Sequence, residues 1–96
     1  MIRIFLALIL VRNAFAAPSD AHQALLKAAE AGEAYASFAI GLHYRKGLEG
    51  MSKDDSKARE WWQKASRQGH ALAAYNLGFM HLNGHGGPKD NLMAYV

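Results

Sequence analysis

The sequence predicts an all-α fold, an α/α solenoid of antiparallel helical hairpins with about two repeats and a leading helix. Three observations predict it. First, the chain resembles itself at an offset of 37 residues, pairing Ala28 with Ala65, Gly32 with Gly69, Gly41 with Gly78, Gly47 with Gly84 and Gly50 with Gly87. After Gly50 the offset drops to 36 and pairs Lys53 with Lys89, Asp54 with Asp90 and Ala58 with Ala94, so one loop is a residue longer than the other. Such self-similarity marks a repeat architecture. Second, apolar side chains recur at the i, i+3, i+4, i+7 spacing of a helix face. Third, glycines fall where those helices must stop. β-branched residues are scarce and no alternation persists, so no strand is expected.

Residues 1–17 read as a secretory signal: Arg3, an eight-residue apolar run over 4–11, then Arg12 and Ala14-Phe15-Ala16. Small residues flank a cut after Ala16, with Ala17 as the alternative. Eight residues rise only about 12 Å as a helix, against roughly 30 Å of bilayer hydrocarbon. No stable membrane span is therefore expected once the signal is removed, and the location is periplasmic or secreted. The repeat region follows over 18–96, as a closing half-repeat (18–33), a repeat (34–70) and a truncated repeat (71–96).

Within it, Ala21, Ala24, Leu25 and Ala28 make a helical stripe over 20–31, and Ala58, Trp61, Trp62 and Ala65 repeat it over 54–68. Between and after them, Ala36, Ile40 and Tyr44 predict a helix over 34–46, copied by Ala73, Leu77 and His81 over 71–83. Ser19 and Asp20 are placed to cap the first helix, 52–55 the third, and Asp90 a last helix from 90 onward. Gly41 and Gly78 fall inside helices at a cost of about 1 kcal/mol relative to alanine. Close approach of a neighbouring backbone, against the small surface of Ala58 and Ala65, is the expected compensation.

Composition excludes several functions. Eleven Lys and Arg against eight Asp and Glu give +3, but Arg3 and Arg12 lie in the signal, leaving 9 − 8 = +1. The charges are interspersed, without the clustered basic face of a nucleic-acid binder. No cysteine means no thiolate nucleophile, no Cys-based zinc site and no disulfide.

These residues resemble the Sel1-like repeats, a branch of the tetratricopeptide-like helical repeats. Ala36, Ile40, Gly41, Tyr44, Gly47, Asp54, Lys57, Ala58, Trp61, Lys64, Ala65 and Gly69 fit one copy of that pattern. Ala73, Leu77, Gly78, Gly84, Gly86, Asp90 and Ala94 fit a second, with His81 where tyrosine is usual. Lys27, Ala28, Ala29 and Gly32 fit the end of an earlier copy. The resemblance implies stacked hairpins and a non-catalytic adaptor or scaffold, often exported in bacteria, that contacts a protein or peptide. It also implies a core role for Trp61. The alternative reading is a cell-envelope hydrolase or β-lactam-binding protein, although the family members linked to β-lactams resemble cysteine-rich relatives.

The catalytic and metal motifs support neither enzyme nor cofactor. There is no serine with lysine three positions on, no HExxH, no GxSxG and no GxxxxGK. His81 and His85 are the only pair at ligand-like spacing, but Gly84 interrupts the helix between them. Zinc usually needs three or four protein ligands.

A second stripe on the first helix of each hairpin, Tyr35, Phe38 and Leu42 with its copy Leu72, Tyr75 and Phe79, either packs on the adjacent repeat or lines the inner surface such arrays offer to ligands. Lys46, Asn76 and Asn83 lie on that side with hydrogen-bonding groups for a peptide backbone. Trp62 is either a second core contact or a partly exposed binding anchor. These ten residues are the candidate partner-binding set. The chain stops inside a helix, with Leu92, Met93, Tyr95 and Val96 apolar, so it reads as a piece of a longer array, with self-association expected through this truncated end. Export is tested by N-terminal sequencing of the protein from an expressing bacterium: it should begin at Ala17 or Pro18, and an intact Met1 would contradict the signal.

Overall fold

A computed structural model describes residues 17–90. The expected signal segment and the expected helix beyond Asp90 lie outside the described residues. Four helices follow in order: α1 (Asp20–Glu30), α2 (Ala34–Lys46), α3 (Asp55–Arg67) and α4 (Ala71–Asn83). Each packs on the next, and among the described residues there is no strand. The boundaries follow the predicted ones within a residue or two.

The helix ends are made by local chemistry. Ser19 accepts the His22 backbone N–H at 3.0 Å to start α1, and Asp54 accepts that of Lys57 at 3.1 Å to start α3. Each satisfies a donor that the first turn leaves unpaired. His70 does the same for α4, its Nδ1 accepting the Ala73 N–H at 3.2 Å. At the other end, Gly47 and Gly84 take left-handed conformations, φ 67° and 70°. A side chain would resist that geometry.

The repeat seen in the letters recurs as hydrogen bonds. Leu48 N–H donates to His43 O and His85 N–H to Met80 O; Asp54 N–H donates to Tyr44 O and Asp90 N–H to His81 O. Glu33 N–H donates to Ala28 O and His70 N–H to Ala65 O. The two copies share one backbone plan.

The core forms two linked clusters. Ala29, Ala36 and Ile40 are fully buried, with Leu25, Leu26, Tyr44 and Trp61 packed around them. Ala58, Trp62, Ala65, Ala73, Leu77 and Met80 form the second, flanked by Phe38, Leu42 and Tyr44. The predicted stripes of α2, α3 and α4 thus face inward. In α1 the stripe is displaced: Ala21 and Ala24 are exposed, while His22 and Ala29 are buried. The cause is position in the array. Ala58, the copy of Ala21, is enclosed because α3 packs on both α2 and α4, whereas α1 packs on α2 alone among the described helices.

Of the two tryptophans, Trp62 takes the core alternative and Trp61 packs only partly buried against the first cluster. Trp62 is 3% exposed and belongs to the hairpin core. Trp61 is half-buried, and the Lys64 ammonium lies 5.2 Å from its ring centroid. Gly41 compensates its helical cost through this core tryptophan rather than through a neighbouring backbone. A Cβ at Gly41 would collide with the Trp62 indole, at Nε1 and Cδ1. The missing side chain lets the ring lie on α2, where its Nε1–H donates to the Phe38 carbonyl at 2.9 Å. An alanine at 41 gains about 1 kcal/mol of helix propensity but displaces a packed ring, and overpacking costs about 1–3 kcal/mol. Gly41→Ala should therefore lower the denaturant midpoint; an unchanged or raised midpoint would contradict the contact.

Candidate functional site

Between α2 and α4, over α3, lies an open groove of about 270 Å³ lined by Leu42, Arg45, Lys46, Trp62, Asn76, Phe79 and Met80. Five of these are in the sequence-predicted binding set. Arg45 and Met80 lie outside that set.

Trp62 forms the floor. It is not an exposed anchor, as one sequence reading had it, because its ring is buried and its N–H is bonded within the fold. Phe38 also turns inward, stacked on His70 at 4.6 Å and 15° and on Trp62 at 6.1 Å and 22°. With Leu42, it carries the first stripe into contact between repeats. The second stripe stays open: Leu72, Tyr75 and Phe79 are 52%, 72% and 52% exposed, and Tyr35, at the start of α2, is exposed as well. The two copies of the stripe thus differ in exposure, Phe38 and Leu42 being partly buried where Tyr75 and Phe79 are exposed.

The polar groups divide by whether the fold already uses them. Arg45 pairs with Asp55 at 3.0 Å, and the other oxygen of Asp55 lies 3.8 Å from His85 Nδ1. Asn83 donates to the Phe79 carbonyl at 2.8 Å, which ties its amide to its own helix. It is therefore a poor peptide donor. Lys46 is exposed and Asn76 half-exposed, and neither side chain has a hydrogen bond among the described residues.

The histidines take separate partners. His81, in the tyrosine slot, faces Arg59 at 3.3 Å; His85 faces Asp55. Among the described residues no group of three or more His, Cys, Asp or Glu is gathered as a metal site.

Sequence reasoning missed the closest polar contact in the core. His22 and His43, both buried, meet Nδ1 to Nδ1 at 2.7 Å and join α1 to α2. Burial pushes both rings below the ordinary imidazole value; His43 lowers His22 further, and the Glu49 carboxylate partly opposes the shift in both. Their spacing of 21 residues carries no periodic signal. A usable clue was the repeat alignment, which places His22 opposite Arg59.

The Sel1 repeat model matches residues 34–70 and 71–95. The chain belongs to the Sel1 repeat family. Sel1 repeats mediate protein–protein interaction, and this one shares its architecture with known Sel1 structures. A Sel1 repeat protein from Oxalobacter formigenes superposes with TM-score 0.72 at 42% identity, covering 78% of this chain and 32% of that one. The c5321 protein, a protective antigen of uropathogenic Escherichia coli with the same fold, gives 0.70 at 38% identity over 76% of this chain and 15% of that one. In sequence, the chain is 39% identical over 70 residues to the Arabidopsis thaliana ERAD-associated E3 ubiquitin-protein ligase component HRD3A, covering 73% of this chain. HRD3B is matched at the same identity. The Sel1 segment spans about a tenth of these curated relatives' length. Among the described residues no helix is long and apolar enough to cross a membrane.

Proposed function

We propose that this Sel1 repeat chain is an exported, non-catalytic module that holds an extended segment of another protein in the groove between α2 and α4. The observation that carries the reading is the groove's lining: an apolar floor of Leu42, Trp62, Phe79 and Met80 beside an amide and an ammonium with no hydrogen-bond partner among the described residues. Extended peptides expose both N–H and C=O groups. The Asn76 carboxamide donates and accepts at once, so it can answer one peptide unit in both directions. Phe79 and Tyr75 supply aromatic area of the kind that dominates binding hot spots.

The non-catalytic reading is supported by the same lining, which contains no hydroxyl, thiol or carboxylate. Nothing in that lining favours a hydrolase. Export is supported by the apolar run over 4–11 followed by Ala14-Phe15-Ala16. The partner is then a protein of the envelope or the extracellular space.

Peptides selected from a random display library on the purified protein test the proposal. Phe79→Ala should weaken their binding about tenfold or more, as expected for a hot-spot aromatic, while Leu48→Ala, at an exposed position away from the groove lining, should leave it unchanged. Selected peptides that bind both variants equally would contradict the groove.

A further inference from the structure

The two repeats use the same backbone frame for different side-chain chemistry at one position. Arg59 of α3 reaches the C-terminal end of α4: its guanidinium donates to His85 O at 2.6 and 3.0 Å and to Met80 O at 3.2 Å, beside His81. Thirty-seven residues earlier the matching position is His22 of α1, which reaches the matching end of α2. There it meets His43, where the second copy has Met80, and lies edge-on to Tyr44, where the second copy has His81. A permanently charged arginine fastens one interface. A titratable pair fastens the other.

We propose that the His22–His43 contact is a pH-sensitive latch that holds α1 on α2 at neutral pH and releases it on acidification. At 2.7 Å between Nδ1 atoms only one hydrogen fits, so one ring donates and the other must be neutral and accept. A first added proton has the donor ring's far nitrogen as its site. A second has only the accepting Nδ1, and its arrival places two N–H groups against each other and two cations in a buried contact. The latch therefore opens in a coupled, two-proton step.

The surrounding charges set its range. On α2, Tyr44 presents its ring to His22 at 6.1 Å, and from α3 the Lys57 ammonium lies 5.4 Å from the Tyr44 ring centroid. In the loop after α2, Glu49 favours the charged rings but also accepts the Ser19 hydroxyl at 2.6 Å, while Ser19 N–H donates to Glu49 O at 2.9 Å. On α1 itself Asp20, Lys27 and Glu30 are exposed. These Ser19–Glu49 bonds tie the start of α1 to the loop after α2, beside the histidine pair.

The folded rings bind protons less readily than free imidazole, so below the unfolded value of about 6.5 the unfolded state binds more protons and stability falls with pH. The contribution is complete above that value and is lost as pH falls through the folded value. Opening frees the face of α2 carrying Ala36 and Ile40, against which α1 now packs.

Native-state hydrogen exchange between about pH 7.5 and 5.0, corrected for the intrinsic rate, tests the latch. Protection of α1 amides should fall severalfold as the pH drops through this range. Amides of α3 and α4 should hold theirs. His22→Leu with His43→Met should abolish the difference between α1 and the other helices. Should that variant not fold, the imidazole proton shifts of the unmodified protein decide: two rings titrating in coupled steps, the second proton taken up below the ordinary imidazole value together with loss of α1 protection, support the latch. Uniform pH dependence along the chain, a dependence that survives in the double variant, or two rings titrating independently at the ordinary value would overturn it.

Discussion

The indole of Trp62, lying in the recess left by Gly41, is the contact on which the rest of the structure depends. A buried tryptophan needs a partner for its N–H, and the Phe38 carbonyl, one turn before Gly41 on α2, supplies it. That bond and the absent Cβ together fix how closely α3 approaches α2. The same ring then packs with Ala73, Leu77 and Met80, so the second hairpin is set by the first. It also forms the floor of the groove. One side chain thus sets the hairpin, the repeat-to-repeat stacking and the depth of the site.

Most of the fold was legible because it is written in residues with restricted roles. Glycines at fixed spacing mark where helices end, capping residues where they begin, and alanines where they touch. What was not legible depends on the number of neighbours. Ala21 and Ala58 are the same letter at equivalent positions, yet only Ala58 has helices on both sides. The adjacent tryptophans differ by one position, and only the side of α3 that meets Gly41 decides which is core. The resemblance placed Trp61 in the core and left Trp62 open; Trp62 is the more deeply buried, and Trp61 packs partly buried on the first cluster.

The candidate site was half legible. Leu42, Lys46, Trp62, Asn76 and Phe79 meet in one groove, but Tyr35, Leu72 and Tyr75 lie outside its lining, and Asn83 is bonded to its own helix. Phe38 could not have been separated from its copy Tyr75 by pattern. It is covered because Trp62 and His70, at the end of its own repeat, stack on it, while Tyr75 remains 72% exposed. The chemistry specific to this chain lies where the copies diverge: His22 against Arg59, His43 against Met80, and Glu49 at a positive φ of 56° where the other copy has Gly86 at 74°.

Solvent exchange of the Trp62 indole N–H, followed by NMR on the intact chain, tests the central claim most directly. A ring buried in the Gly41 recess and bonded to Phe38 O should exchange only through opening of the α2–α3 hairpin, at the rate of the most protected backbone amides in those helices. An indole N–H exchanging at the rate of a solvent-exposed tryptophan would show that the ring does not occupy the recess, and the account of both the hairpin and the groove floor would fail with it.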